Sequence, residues 1–260
     1  MKPRVSWALM TLSASVMALG LAACTVTRNW QYPPDPPGTL LNVKGSKTLP
    51  VTVAVFPLRD LRGANVERGS WRLALPLVPY AVNSFDRPET VQDPEGVRLI
   101  RMNPSRDFAM AIANELRHAG IFSRVALAES LSTKPDLVLS GTIRSTNWRR
   151  SFTTYGLGPL GPLVWILGAP MGKATNTVAM DLQLTPPNDP SRAVWQFTME
   201  FQDSHLFGIY YGMEQSVENY ADAVQETLKP AISNLVKIAT EHPELLRPGA
   251  ATGVSTVQSH

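Results

Sequence analysis

From Thr177 to Phe201 the chain alternates apolar and polar residues on either side of a proline-rich turn, and no other pattern in it constrains the fold as tightly. Val178, Met180, Leu182 and Leu184 recur at every second position. Pro186 to Pro190 (PPNDP) interrupts the run, and Trp195, Phe197, Met199 and Phe201 repeat it. Residues two apart share a face of a strand, so the segment predicts an antiparallel hairpin with one buried face. Such a face needs a cover.

The flanking chain supplies that cover and more strands. Asn103 can cap a helix with Pro104 at its first position and Gly120 just past its end. Phe108, Ile112, Leu116 and Ala119 recur on one side of it. Val51 to Phe56 is a short β-rich run ended by Pro57, and Ile121, Ser123, Val125 and Leu127 alternate as a second strand. A right-handed crossover places these two parallel. Asp136 to Arg149 reads as a third strand with Leu137, Leu139 and Ile143 on one face. A long helix near Glu214 to Thr240 carries the stripe Val217, Tyr220, Val224, Leu228, Ile232, Leu235 and Ala239, with Pro230 expected to kink it. The fold class is therefore α/β (α+β): a single mixed sheet of about five strands with helices packed on it, over residues 49–242.

The amino-terminal end has its own logic. Lys2 and Arg4 precede a stretch free of charge until Arg28, with Leu21-Ala22-Ala23-Cys24 inside it. Charge, an apolar run and small residues make the layout of a secretory signal. The rival, an uncleaved span, wants about 20 predominantly apolar residues, and Ser6, Thr11, Ser13, Ser15 and Gly20 dilute this one. Leu21 to Cys24 also resembles the lipobox of bacterial lipoproteins. That resemblance implies cleavage after Ala23, diacylglycerol on the Cys24 sulfur and acylation of the new amino group. Cys24 is the only cysteine, and a thioether needs no partner. Several acyl chains are needed for firm anchoring, since each buried CH₂ contributes about 0.8 kcal/mol and one chain holds marginally. Thr25 and Val26 follow the cysteine where an Asp would imply inner-membrane retention, so the resemblance implies the periplasmic face of the outer membrane.

Residues 1–23 are thus expected as signal peptide and 24–48 as a lipidated tether, extended by the prolines of Tyr32 to Gly38. Residues 243–260, rich in small residues from Pro248, are expected to be disordered. Without Lys2 and Arg4 the charges nearly balance. No Lys/Arg run marks a nucleic-acid surface, so no nucleic acid is expected as a partner.

The order of elements, with VAVFPLRD at Val53 to Asp60, PDLVLSGTI at Pro135 to Ile143 and the closing helix, resembles the amino-terminal domain of TolB and the curli-secretion lipoprotein CsgG. More closely, the chain is similar to uncharacterised bacterial outer-membrane lipoproteins, through LPLVPY at Leu75 to Tyr80 and the apolar loop from Tyr155 to Trp165. These motifs are fold signatures, and the resemblance carries over no catalytic residue.

Two insertions break the pattern, and both are apolar: Trp71 to Val82 and Ser151 to Gly172. Leu206 to Gly212 is a shorter third. Five glycines and three prolines interrupt the second, which makes a spanning helix a poor reading. Either these loops pack as a satellite core, or they expose a patch for lipid, a hydrophobic ligand or a partner. Candidate surface residues are Leu75, Tyr80, Tyr155, Leu163, Trp165, Ile166, Phe207 and Tyr210. If the third strand also runs parallel to the first, all three segments meet at one end of the sheet. The eight-residue link between second and third strands is short for a crossover, so that condition is a real one.

Signals of catalysis are weak. His118, His205, His242 and His260 lack metal-ligand spacing, and Gly168 to Lys173 lacks the glycine spacing and Ser/Thr of a phosphate loop. No G-x-S-x-G elbow occurs. An enzyme would have to rest on His205 with Asp203. The expectation is a non-enzyme with no cofactor and no metal, held to a membrane by Cys24 and meeting an envelope protein, with homo-oligomerisation open. Two function classes stand: a scaffold or accessory of an envelope assembly or transport system, and a carrier or sensor of a hydrophobic ligand held between the loops.

Overall fold

The computed structural model describes residues 28–34, 39–92, 100–130, 134–212, 220–247 and 256–258. Cys24, the expected signal segment and Val217 of the expected helix stripe lie outside them. In chain order the described elements are β1 (Arg28–Asn29), β2 (Leu49–Val55), β3 (Arg59–Asp60), β4 (Val66–Arg68), β5 (Tyr80–Phe85) and β6 (Ile100–Arg101). There follow α1 (Pro104–Ala119), β7 (Phe122–Leu127), β8 (Leu137–Thr153), α2 (Gly161–Ile166), β9 (Gly172–Thr185), β10 (Trp195–Phe207), α3 (Tyr220–Glu241) and β11 (Thr256–Gln258).

One mixed sheet dominates, ordered β11-β10-β9-β8-β2-β7. β2 runs parallel to both β7 and β8, while β8, β9 and β10 form an antiparallel meander. The five long strands are those expected, and the fold class is α/β with a mixed sheet. Short strands extend it: β3 and β5 continue along the edge of β8 beyond β2, and β4 pairs with β5. The short link into β8 suffices because β8 starts beside the end of β2. Leu137 lies opposite Val53, and both Leu127 and Leu139 lie opposite Val55.

The ends of α1 follow from sequence chemistry. Pro104 needs no intrahelical hydrogen bond at the first turn, and Gly120 takes the left-handed conformation, φ 69°, that closes the helix. Asn103 caps differently from expectation, since its backbone N–H donates to Asp107 Oδ2 at 2.6 Å and its side chain makes no cap bond. Phe108, Ile112 and Leu116 are fully buried, each contributing about 1.5–3 kcal/mol by leaving water. α3 buries Tyr220, Val224, Leu228, Ile232, Leu235 and Ala239, with Pro230 inside it. Trp195 Nε1 donates to Asn234 Oδ1 of α3 at 2.9 Å. The two long helices touch each other and cover one face of the sheet: α1 over β2 and β7, α3 over β9 and β10.

Two expectations about the flanks need correction. The segment expected as a spacer is docked in its described part: β1 pairs with β6, Trp30 stacks on Tyr32 and packs on Phe108, and Leu41 is buried. The reason is Glu115, buried on α1, whose carboxylate accepts from Tyr32 Oη at 2.5 Å and from the Leu41 backbone N–H at 3.0 Å. Burial, then Glu115, raises the Tyr32 pKa well above its ordinary value. The expected disordered tail is likewise partly ordered. Leu246 is buried in a helical turn, and β11 lies parallel along Gln196 to Thr198.

A buried ionic cluster joins the layers. Arg62 Nη2 meets Asp60 Oδ2 at 2.9 Å and Glu89 Oε1 at 2.7 Å, and Arg62 Nη1 donates to Thr146 Oγ1 on β8. Tyr220 Oη donates to the Thr146 carbonyl oxygen. Thr146 therefore marks the height at which the described part of α3 begins.

Candidate functional site

Above Thr146 the strands continue for seven residues to Thr153, about 23 Å at the usual rise. β9 and β5 pair with β8 up to Phe152 and Thr153 respectively, so this extension is a rigid ribbon. Gly172 permits the closest approach, since a Cβ there would stand 1.9 Å from the Ser151 carbonyl oxygen. The sequence puts its three apolar segments at this end: one enters β5, one joins β8 to β9, one leaves β10. Because β8 is parallel to β2, the condition set by the short link is met.

Hydrogen bonds knit the three segments together. Leu77 N–H donates to Gly156 O at 3.1 Å, Thr154 N–H to Pro79 O at 3.2 Å and Met171 N–H to Phe207 O at 2.8 Å. Tyr155 Oη donates to Pro170 O at 2.7 Å, and Tyr210 Oη to Ile166 O at 3.0 Å. These bonds hold the loops to one another, and many of their apolar side chains face solvent. Leu77 is 87% exposed, Leu167 86%, Leu163 59% and Ile166 55%. Leu75, Tyr80, Tyr155 and Tyr210 of the expected surface are exposed too, beside Trp71, Leu157, Leu160 and Leu206. Leu77 and Tyr155 also hold positive φ, 65° and 58°, the only non-glycine residues to do so among those described. This costs roughly 1–2 kcal/mol each and places backbone strain where apolar groups meet water, a pairing common at working surfaces.

Two expected surface residues are placed otherwise. Phe207 is fully buried, meeting Phe152 edge-on with centroids 5.4 Å apart. β10 runs on to Phe207 with the parity of Trp195 and Phe197, so its ring points to the helix side. That parity was the sequence signal for its burial. Trp165 is half-buried, with Nε1 donating to Thr153 O at 2.8 Å. It anchors α2 and leaves Leu163 and Ile166 to form the surface.

On the helix-side face of the extension, Arg150 lies over the rings of Trp148 and Phe207, 5.1 and 4.9 Å from their centroids. Burial draws its pKa down to about 10. His205 and Asp203 stand 3.7 Å apart, beyond hydrogen-bond range. No group of metal-ligating residues forms among the described residues. Gly168 to Lys173 leads into a strand, whereas a phosphate loop leads into a helix. No helix among the described residues is long and apolar enough to cross a membrane.

Among the described residues the loops border a small apolar cleft, with a polar hollow next to it. A cleft of about 150 Å³ lies among Tyr80, Phe152, Pro170 and Leu206. A larger hollow, about 570 Å³, lies far from them on the sheet face opposite the helices, between Phe56, Val138, Asp181, Pro187 and Gln196.

No protein-family model and no curated protein matches the chain. Among solved structures it is similar to a Xanthomonas campestris protein described by the family model DUF330, at 13% identity and a TM-score of 0.38, over 81% of this chain and 92% of that one. It is also similar to PelC from Paraburkholderia phytofirmans, crystallised as a dodecamer, at 11% identity and a TM-score of 0.27, over 73% of this chain and 92% of PelC. At such scores neither function nor assembly passes from those proteins to this chain. The expected likeness to TolB and CsgG finds no support among these structures.

Proposed function

We propose that this chain is a lipoprotein of the bacterial outer membrane, anchored through Cys24, that serves as a non-enzymatic scaffold or accessory of an envelope assembly or transport system. The observation that carries the reading is the exposed apolar end: three charge-poor loops held by a rigid sheet extension and presented as a rim. A loop needed only for connection is usually short and polar, and an exposed apolar patch of this extent marks a contact surface. A carrier of hydrophobic ligands would instead need an enclosed pocket of several hundred cubic ångströms. The apolar cleft among the described residues, at about 150 Å³, is smaller than that, and the hollow beside it is polar, which supports the scaffold.

The test uses the acylated full-length protein as bait in detergent-solubilised envelopes. The scaffold reading expects a defined envelope protein to co-purify in fixed ratio. Organic extraction of the purified protein that yields a stoichiometric hydrophobic molecule, with no protein retained, contradicts it and establishes the carrier.

A further inference from the structure

Below the apolar rim, on the sheet face opposite α1 and α3, a polar hollow of about 350 Å³ is lined by Asn147, Arg149, Ser151, Lys173, Thr175 and Gln202. Arg149 and Lys173 are exposed there. The hollow shares Ser151 and Lys173 with the apolar cleft of Tyr80, Phe152, Pro170 and Leu206. A cationic, hydroxyl-lined seat thus abuts an apolar one, in the relation of a lipid headgroup to its chains.

We propose that the apolar end sits in the interfacial layer of a phospholipid bilayer, with phosphates of anionic lipids held by Arg149 and Lys173. Charge favours this occupant. No acidic residue occurs between Asp136 and Asp181, a stretch holding Arg144, Arg149, Arg150 and Lys173. Asp86, whose carboxylate reaches Asn147 at the foot of the hollow, is already bound by Asn65 and Asn147. Exposed Trp71, Tyr80, Tyr155 and Tyr210 ring the end, and such amphipathic rings settle at the membrane–water boundary. Direction agrees as well. Arg28 pairs with Ile100, Trp30 packs on Phe108 and Tyr32 on Glu115, so the chain descends along α1, which runs antiparallel to β8. The first described residue, Arg28, therefore stands toward the end of the fold to which β8 points.

The inference rests on the reading of a membrane-tethered protein, and one assay separates them. A chain from residue 24 on with Cys24→Ser, which carries no acyl group, is sedimented with vesicles of phosphatidylethanolamine and phosphatidylglycerol, or of phosphatidylcholine alone. Binding to the anionic vesicles is expected, with Leu163→Asp plus Ile166→Asp reducing it at least about tenfold. Arg149→Gln plus Lys173→Gln should weaken anionic-vesicle binding roughly 5–30-fold and leave phosphatidylcholine binding unchanged. All four side chains are exposed or half out of the fold, and circular dichroism confirms that each variant is folded. No binding by the folded chain overturns the proposal, as does binding indifferent to the aspartates. So does an oligomer in solution that the aspartates disperse, which would make the occupant a second copy. If vesicle binding fails while the acylated protein still co-purifies its partner, this inference falls and the scaffold reading stands.

Discussion

The indole N–H of Trp165 donates to the carbonyl oxygen of Thr153 at 2.8 Å, tying the apolar loop to the last residue of β8. The bond explains how a loop with so many exposed leucines keeps one shape. Trp165→Phe keeps most of the ring and loses the bond, which should ease local opening by about 1 kcal/mol. Faster amide exchange at Leu167 to Ala169, with the global melting temperature unchanged, is the expected result. A large fall in global stability would mean that the loop is part of the main core.

The hairpin phase is testable by neighbours in sequence. Phe197 is buried and stacked on Trp195, centroids 6.0 Å apart, while Thr198 lies on the opposite face. Phe197→Ala should cost about 3–5 kcal/mol and Thr198→Ala no more than about 0.5, measured by urea unfolding.

The Arg62 cluster gives stability a direction in pH. Hydrogen bonding from Arg62 holds the Asp60 carboxyl below its usual range, so the ion pair's contribution is present above the unfolded pKa of about 3.9 and is lost as pH falls through the lower folded value. Asp60→Asn should therefore be less stable than wild type at neutral pH. The two should converge below about pH 4, as read from melting temperatures across a pH series.

Glu115 serves two donors from the amino-terminal segment, Tyr32 Oη and the Leu41 N–H. Glu115→Ala leaves both without their acceptor, at about 1–3 kcal/mol. It should release that segment, and limited proteolysis should then cut within residues 39–48 faster than in the wild type.

The legible parts of the fold were those whose cause is local. Pro104 and Gly120 fix both ends of α1, and alternation about Pro186 to Pro190 fixes β9 and β10. The docking of Trp30, Tyr32 and Leu41 was hidden because its cause, Glu115, is distant in sequence and because a two-residue strand has no period of its own. β5 was hidden within an apolar run, since Tyr80 to Phe85 alternates only once its partner Trp148 to Thr153 is known. The candidate surface was legible in composition. Its exposure was not, because leucine-rich loops look alike whether packed or bare, and the hydrogen bonds of Thr154, Tyr155 and Tyr210 that pin the loops decide the matter. Phe207 could have been assigned inward by carrying the parity of β10 six residues past Phe201.

The central claim, that the apolar end of a membrane-held protein lies against the bilayer, is tested most directly by photo-crosslinking in intact cells. A benzophenone amino acid replaces Leu167, which is 86% exposed at the rim, or Ser191, exposed in the β9–β10 turn at the other end of the sheet. The account predicts phospholipid adducts by mass spectrometry at position 167 and none at 191. Equal yields at both positions, or no adduct at 167 in folded protein, would contradict it.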